Sequence, residues 1–266
     1  MYSDHLGDLI RKTKTQDFRA LARLLTLLER DGATCLEQYP ELGSPSTKAF
    51  RIGITGPPGA GKSTLIGQLL AEFRKRNLTV GIMAIDPSSP FTKGAVLGDR
   101  IRYTEFFGDP KVFIRSLGSR GSLGGLSSSA YLMARAFDLA NFDVVLIETV
   151  GVGQTELEIM NVADFVAVVL VPESGDSIQG MKAGLLEIAN LFIVNKADRP
   201  GAESFARELE ASMHLDANLN ARTAEVLLTS ALQSLGISQL CNRFLDEKSK
   251  PQWRDSRQSL QRLKAE

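Results

Sequence analysis

The chain has 266 residues, 43% of them hydrophobic, and its 31 Lys and Arg residues balance 31 Asp and Glu residues. That balance leaves no electrostatic footprint for nucleic acid or an acidic membrane surface. The polar stretch Met1 to Ile10 predicts no signal peptide, and no apolar run approaches bilayer-spanning length. Cys35 and Cys241 are too few and too distant for a disulfide framework, so the expected compartment is the cytoplasm.

In chain order, Gln16 to Arg30 is amphipathic, with Leu21, Leu24, Leu25 and Leu28 at helical spacing. These leucines suit core packing better than a partner groove, and residues 1–46 are expected to form a small N-terminal helical extension. A Gly-Ser-Pro break at Gly43 to Ser46 opens a second region over 47–246, with a tail over 247–266. Apolar strands are expected near 50–55, 79–85, 112–115, 143–148, 165–171, 191–194 and 225–228, alternating with helices. That alternation predicts an α/β fold with a mostly parallel central sheet flanked by helices. Ser116 to Ser129, rich in Gly and Ser, reads as a flexible linker, although its Arg120 lies ahead of an amphipathic helix.

The first strand runs into Gly56-Pro57-Pro58-Gly59-Ala60-Gly61-Lys62-Ser63-Thr64, the Gly-x-x-x-x-Gly-Lys-Ser/Thr pattern of P-loop NTPases. Leu65, Ile66, Leu69, Leu70 and Phe73 continue it as a helix, so the loop stands where a helix N-terminus meets an anion. Glycines let backbone N–H groups turn inward around a phosphate. Lys62 supplies a point charge for the β- and γ-phosphates, and Ser63 a hydroxyl ligand for Mg²⁺.

Three further carboxylates are candidates, two of them at strand ends. Asp86, in Asp86-Pro87-Ser88-Ser89-Pro90, is either a metal or switch carboxylate or an ordinary turn residue. Asp99 is less defined and could be a solvated helix residue. Glu148-Thr149-Val150-Gly151 stands where Asp-x-x-Gly is usual in GTPases, with Glu148 expected to hold Mg²⁺ through water and Gly151 to offer its N–H to the γ-phosphate. Ras-like GTPases follow that glycine with a water-orienting glutamine. Here Val152 occupies the place and Gln154 follows two residues later, so slow intrinsic hydrolysis is expected.

Leu191-Phe192-Ile193-Val194 ends in Asn195-Lys196-Ala197-Asp198, the Asn-Lys-x-Asp arrangement of guanine-binding proteins. A carboxylate accepts from both N1–H and the exocyclic amine of guanine, whereas adenine presents an acceptor at N1. Ser230-Ala231-Leu232, after the last strand, matches the loop that contacts the guanine carbonyl.

These motifs, with Phe91-Thr92, Gly98-Asp99-Arg100-Ile101-Arg102, Arg120-Gly121, Leu123-Gly124-Gly125-Leu126 and Glu148 to Gln154, resemble the MeaB-type GTPases from about Arg19 to about Leu245. Bacterial members have been labelled ArgK or LAO/AO transport kinases. The resemblance implies a GTP/GDP-cycling, Mg²⁺-dependent chaperone that gates cofactor loading or protection of an adenosylcobalamin-dependent acyl-CoA mutase such as methylmalonyl-CoA mutase. It further implies switch I carboxylates at Asp86 and Asp99, a switch II carboxylate at Glu148, a third switch at Gly175-Asp176, Gln179-Gly180 and Lys182, and a partner-facing or switch role for the segment of Arg120. Lys62, Asp99, Gln154 and Lys182 are then the catalytic candidates. Glu173-Ser174, Ser177 and Lys93 depart from the family pattern. The family continues into a helical dimerisation arm, of which Asp246 to Glu266 would be a shortened form, so a homodimer or a monomer completed by another polypeptide is expected. Two other readings share the nucleotide motifs. A nickel metallochaperone GTPase needs clustered Cys and His ligands, whereas the histidines here are His5 and His214. An arginine or ornithine transport kinase would need an acceptor site that no motif supplies.

Overall fold

The computed structural model describes residues 2–43, 48–86, 103–118, 128–149, 155–174, 187–215, 225–254 and 257. Seven strands form one sheet in the order β3-β2-β4-β1-β5-β6-β7, and every neighbouring pair is parallel. They are β1 (Phe50–Thr55), β2 (Val80–Asp86), β3 (Val112–Gly118), β4 (Val144–Thr149), β5 (Phe165–Leu170), β6 (Leu191–Val194) and β7 (Glu225–Leu228). The helices are α1 (Tyr2–Lys14), α2 (Phe18–Gln38), α3 (Lys62–Lys75), α4 (Ser128–Leu139), α5 (Thr155–Glu158), α6 (Ala202–Leu215) and α7 (Ile237–Ser249). Among the described residues, no helix is long and apolar enough to cross a membrane.

The central strands read as continuous apolar runs because both faces of the sheet are covered. In β4, Val145 and Ile147 join the cluster formed with α1, α2, α4 and α6, while Val144 and Leu146 join the opposite cluster with α3 and α7. The same alternation places Val166 and Val168 of β5 on the first face and Phe165, Ala167 and Val169 on the second.

The N-terminal helices are part of this packing. Asp17 caps α2, its side chain accepting from the Arg19 and Ala20 N–H groups at 2.9 and 3.0 Å. Leu21, Leu24, Leu25 and Leu28 are all buried, each contributing about 1.5–3 kcal/mol on transfer from water. Helix α1 adds Leu6, Leu9 and Ile10, an apolar stripe inside a stretch that reads as polar in sequence. Phe18 stacks on Phe142 at 5.3 Å and tilts against Phe113 at 5.5 Å, joining α2 to the sheet face.

The element bounds differ from the sequence reading on both sides of the Gly- and Ser-rich segment 116–129. Strand β3 continues to Gly118, because Ser116, Leu117 and Gly118 pair with Ala84, Ile85 and Asp86 of β2 despite their loop-like composition. Likewise, Ser128 and Ser129 start α4 rather than ending a linker.

Part of the region read as a C-terminal tail is built into the core. Trp253 is buried, meets Phe50 edge-on at 5.4 Å, and donates its indole N–H to the Lys248 carbonyl at 2.9 Å. Arg257 enters a buried group of charges beneath the sheet. Its Nε donates to Asp164 Oδ1 at 2.6 Å, and its Nη2 donates to Asp164 Oδ2 and, at 2.7 Å, to the Ala49 carbonyl. Arg51 pairs with Asp138 through two nitrogens and donates to the Val162 carbonyl at 3.1 Å. Removing one member of such a group leaves a charge buried without its counterpart, which costs more than the intact pair contributes. Arg257→Ala should therefore lower the unfolding free energy by about 3–5 kcal/mol in urea titrations. Arg257→Lys should recover little of it, because one ammonium cannot reproduce the guanidinium fork.

Candidate functional site

The site forms at the C-terminal ends of the central strands, where β1 turns into the loop that starts α3. Gly56 leaves β1 at φ 134°, and a Cβ there would lie 2.1 Å from the Val169 carbonyl oxygen of β5. Only glycine fits that approach. Gly61 caps α3 at φ 85°, and a Cβ there would meet Asn195 Nδ2 at 2.6 Å. Between them Pro58 and Gly59 are exposed and Ala60 is buried. Lys62 folds back across the loop, its Nζ donating to the carbonyls of Gly56 at 2.7 Å and Pro57 at 3.0 Å. An anion entering the loop can offer that ammonium a charge-assisted bond in place of neutral carbonyls. It also meets the first N–H groups of α3 and the positive end of the helix dipole. Thr64 is exposed on the first turn of α3.

A second corner lies on β4, beside β1. Ile54 is registered with Glu148, and on the other side of β4 Ala84 is registered with Glu148. Ser63 Oγ donates to Glu148 Oε1 at 2.6 Å, and the Tyr103 hydroxyl donates to Glu148 Oε2 at 2.9 Å. A hydroxyl that donates to the carboxylate can still present its oxygen as an acceptor to a cation, and hydroxyl plus carboxylate is a hard-oxygen donor set suited to Mg²⁺. Behind them Thr149 Oγ1 donates to Thr55 Oγ1 at 2.9 Å, tying the ends of β4 and β1 together. Asp86 is the last residue of β2, on the same sheet edge. Asp99, Gly151, Gln154 and Lys182 lie outside the described residues, as do Arg120 and the segment 175–180.

The third corner is built by Asn195, which follows β6 and is buried. Its Nδ2 donates to the Ala60 carbonyl at 2.8 Å, and its Oδ1 accepts from Thr229 Oγ1 and the Ala231 N–H, both at 3.2 Å. One amide thus joins the phosphate-type loop to the loop after β7. Lys196 adopts φ 59°, a conformation held by backbone bonds on either side, Asn195 N–H to the Leu170 carbonyl at 2.8 Å and Ala197 N–H to the Thr229 carbonyl at 2.9 Å. Asp198 is exposed and accepts a short bond from Ser230 Oγ. That bond is the main cause holding its carboxyl below the ordinary aspartate range, so it is an ionised acceptor facing solvent at neutral pH. Ser230 and Leu235 exchange backbone bonds at 3.1 and 3.0 Å, which close the tight loop that leaves Leu232 82% exposed.

The structure thus brings together Gly56 to Thr64, Glu148, Asn195 to Asp198 and Ser230 to Leu232. Sequence reasoning missed Tyr103 and Thr229. Tyr103 belongs to no motif and Thr229 only precedes the Ser230 to Leu232 loop, so only the fold places Tyr103 against Glu148 and Thr229 against Asn195.

The chain is similar to known proteins. A family model described as "Methylmalonyl Co-A mutase-associated GTPase MeaB" matches residues 21–263. A relative from Pyrococcus abyssi, whose name assigns it provisionally to the GTPases, is 45% identical over 247 residues, covering 91% of this chain and 76% of that protein. The Escherichia coli protein GTPase ArgK is 34% identical over 252 residues, covering 92% and 76%. The crystal structure of an LAO/AO transport system kinase is similar with a TM-score of 0.75 and 26% identity, covering 96% of this chain and 80% of that one.

If the Asn195 amide is what joins the loops, Asn195→Ala leaves the Ala60 carbonyl, the Thr229 hydroxyl and the Ala231 N–H without it in a buried place. A loss of about 3 kcal/mol in unfolding free energy is expected by denaturant titration. Amide hydrogen exchange should rise in both loops together, and exchange confined to one of them would contradict the bridging role.

Proposed function

The chain belongs to the MeaB family of GTPases, and from that membership we propose that it is a Mg²⁺-dependent GTP switch acting on an adenosylcobalamin-dependent acyl-CoA mutase. The family's description as methylmalonyl Co-A mutase-associated supports the partner. The observation that carries the nucleotide reading is the Asn195 bridge, which sets an exposed, ionised Asp198 at a fixed place relative to the loop of Lys62.

In this reading Asp198 accepts from guanine N1–H and the exocyclic amine, and the Ser230 to Leu232 loop offers backbone N–H groups to the guanine carbonyl. Lys62 and the N–H groups of Gly56 to Thr64 bind the β- and γ-phosphates. Ser63 and Glu148 would hold Mg²⁺, with Asp86 and Asp99 as further carboxylates. When bound, the ion neutralises charge that develops on the phosphate oxygens. Gly151 presents its N–H to the γ-phosphate, and Gln154, two positions beyond the apolar Val152, is the candidate for orienting water. Lys182 couples the nucleotide state to the mutase. The coupling is set by the difference in mutase affinity between the GTP and GDP states.

Asp198→Asn should weaken GTP binding by about a hundredfold, the worth of two charge-assisted hydrogen bonds, and raise affinity for xanthine nucleotides, measured by competition with a fluorescent GDP analogue. Lys62→Ala should lower single-turnover GTP hydrolysis by about 10²-fold in a chain whose circular dichroism is unchanged. Methylmalonyl-CoA mutase should accelerate hydrolysis by the wild-type chain. Absence of stimulation by any acyl-CoA mutase would overturn the partner, and transfer of γ-³²P label from GTP to arginine or ornithine would favour the transport-kinase reading instead.

A further inference from the structure

Two of the hydrogen bonds to Glu148 fall on opposite carboxylate oxygens and come from different parts of the chain. Ser63 takes Oε1 at 2.6 Å, whereas the donor to Oε2, at 2.9 Å, is Tyr103. Tyr103 is 0% exposed and its ring packs in the cluster that contains Ile54, Ile82 and Leu146. Its backbone starts a 3₁₀ turn over Thr104–Phe106, with the Phe106 N–H donating to its carbonyl at 3.0 Å. The ring is therefore held by apolar contacts and its backbone by the turn, so the hydroxyl is presented from a fixed platform.

The last torsion of a glutamate is broad and roughly two-fold, so packing alone leaves the carboxylate plane poorly defined. Two donors on opposite oxygens define it. We propose that Tyr103 is a positioning residue for the divalent-cation corner, fixing the plane of Glu148 so that Oε1 stays on Ser63 and the serine lone pairs stay turned toward the cation. The inference rests on the reading of Ser63 and Glu148 as the cation-holding pair. Without the phenol, Oε2 of a carboxylate that is 6% exposed loses a donor, and the group gains by turning toward water or another partner. That rotation withdraws Oε1 from Ser63, and the donor set meets the ion less well organised. Tyr103 acts on the cation through Glu148, so its effect is expected in metal-dependent behaviour.

Tyr103→Phe keeps the ring and removes the hydroxyl. Affinity for a fluorescent GDP analogue is to be measured in EDTA and across a Mg²⁺ titration, with thermal unfolding as the check on folding. Expected are wild-type affinity in EDTA, within about twofold, and a roughly tenfold rise in the Mg²⁺ concentration that half-maximally slows GDP release. Tyr103→Met, also apolar and without a hydroxyl, should give the same shift, which separates loss of the donor from loss of an aromatic ring. A Mg²⁺ midpoint within twofold of wild type in either folded variant overturns the positioning role. A wild-type chain that binds guanine nucleotide with no Mg²⁺ dependence overturns the cation corner itself, and one that binds no guanine nucleotide overturns the proposed function.

Discussion

One side-chain amide holds the site together. Asn195 is buried and reaches the Ala60 carbonyl on one side and the Thr229 hydroxyl and Ala231 N–H on the other. An amide carries both donors and an acceptor, so this position needs the chemistry of asparagine. A carboxylate would set a negative charge against the Ala60 carbonyl, and an apolar residue would leave three polar groups unmatched. The distance between the loop that would hold phosphates and the carboxylate that would read a base is thereby part of the folded core.

The strand order explains why the remaining groups converge. β1 lies between β4 and β5, so the loop leaving it has Glu148 at the end of one neighbour and Val169 on the other. β6 follows β5 and β7 follows β6, which carries Asn195 and Ser230 along the same edge. In an open parallel sheet this edge collects ligand groups because the connections on either side of the central strand run to opposite faces. The close contact at Gly56 presses the loop against β5, and the Ser63 to Glu148 bond draws the first turn of α3 toward β4.

Much of this was legible in the sequence, for reasons that differ by element. β1, β4 and β5 are buried on both faces, so their apolar runs stand out, and the glycines of the first loop are dictated by backbone conformations that other residues adopt at a cost. Helix α1 was harder to see because Leu6, Leu9 and Ile10 are interspersed with charged residues. The end of β3 was hidden by its Ser and Gly content, which suits a loop, while pairing with β2 decided the outcome. Tyr103, Thr229 and Arg257 were not legible at all. Each acts through partners 34 to 208 positions away, and no local pattern of residue types records such a pairing.

The Arg257 contact bears on how the chain is made as well as on how it is held. Its bond to the Ala49 carbonyl spans 208 positions of sequence, and its bonds to Asp164 span 93. During synthesis β1 emerges long before that guanidinium, so a nascent chain that has reached β7 has every strand of the sheet but not the charge that meets both oxygens of Asp164. The sheet can assemble vectorially, yet its lower rim is sealed only when residue 257 clears the ribosomal tunnel. Chaperone occupancy on stalled nascent chains would be expected to persist up to that point.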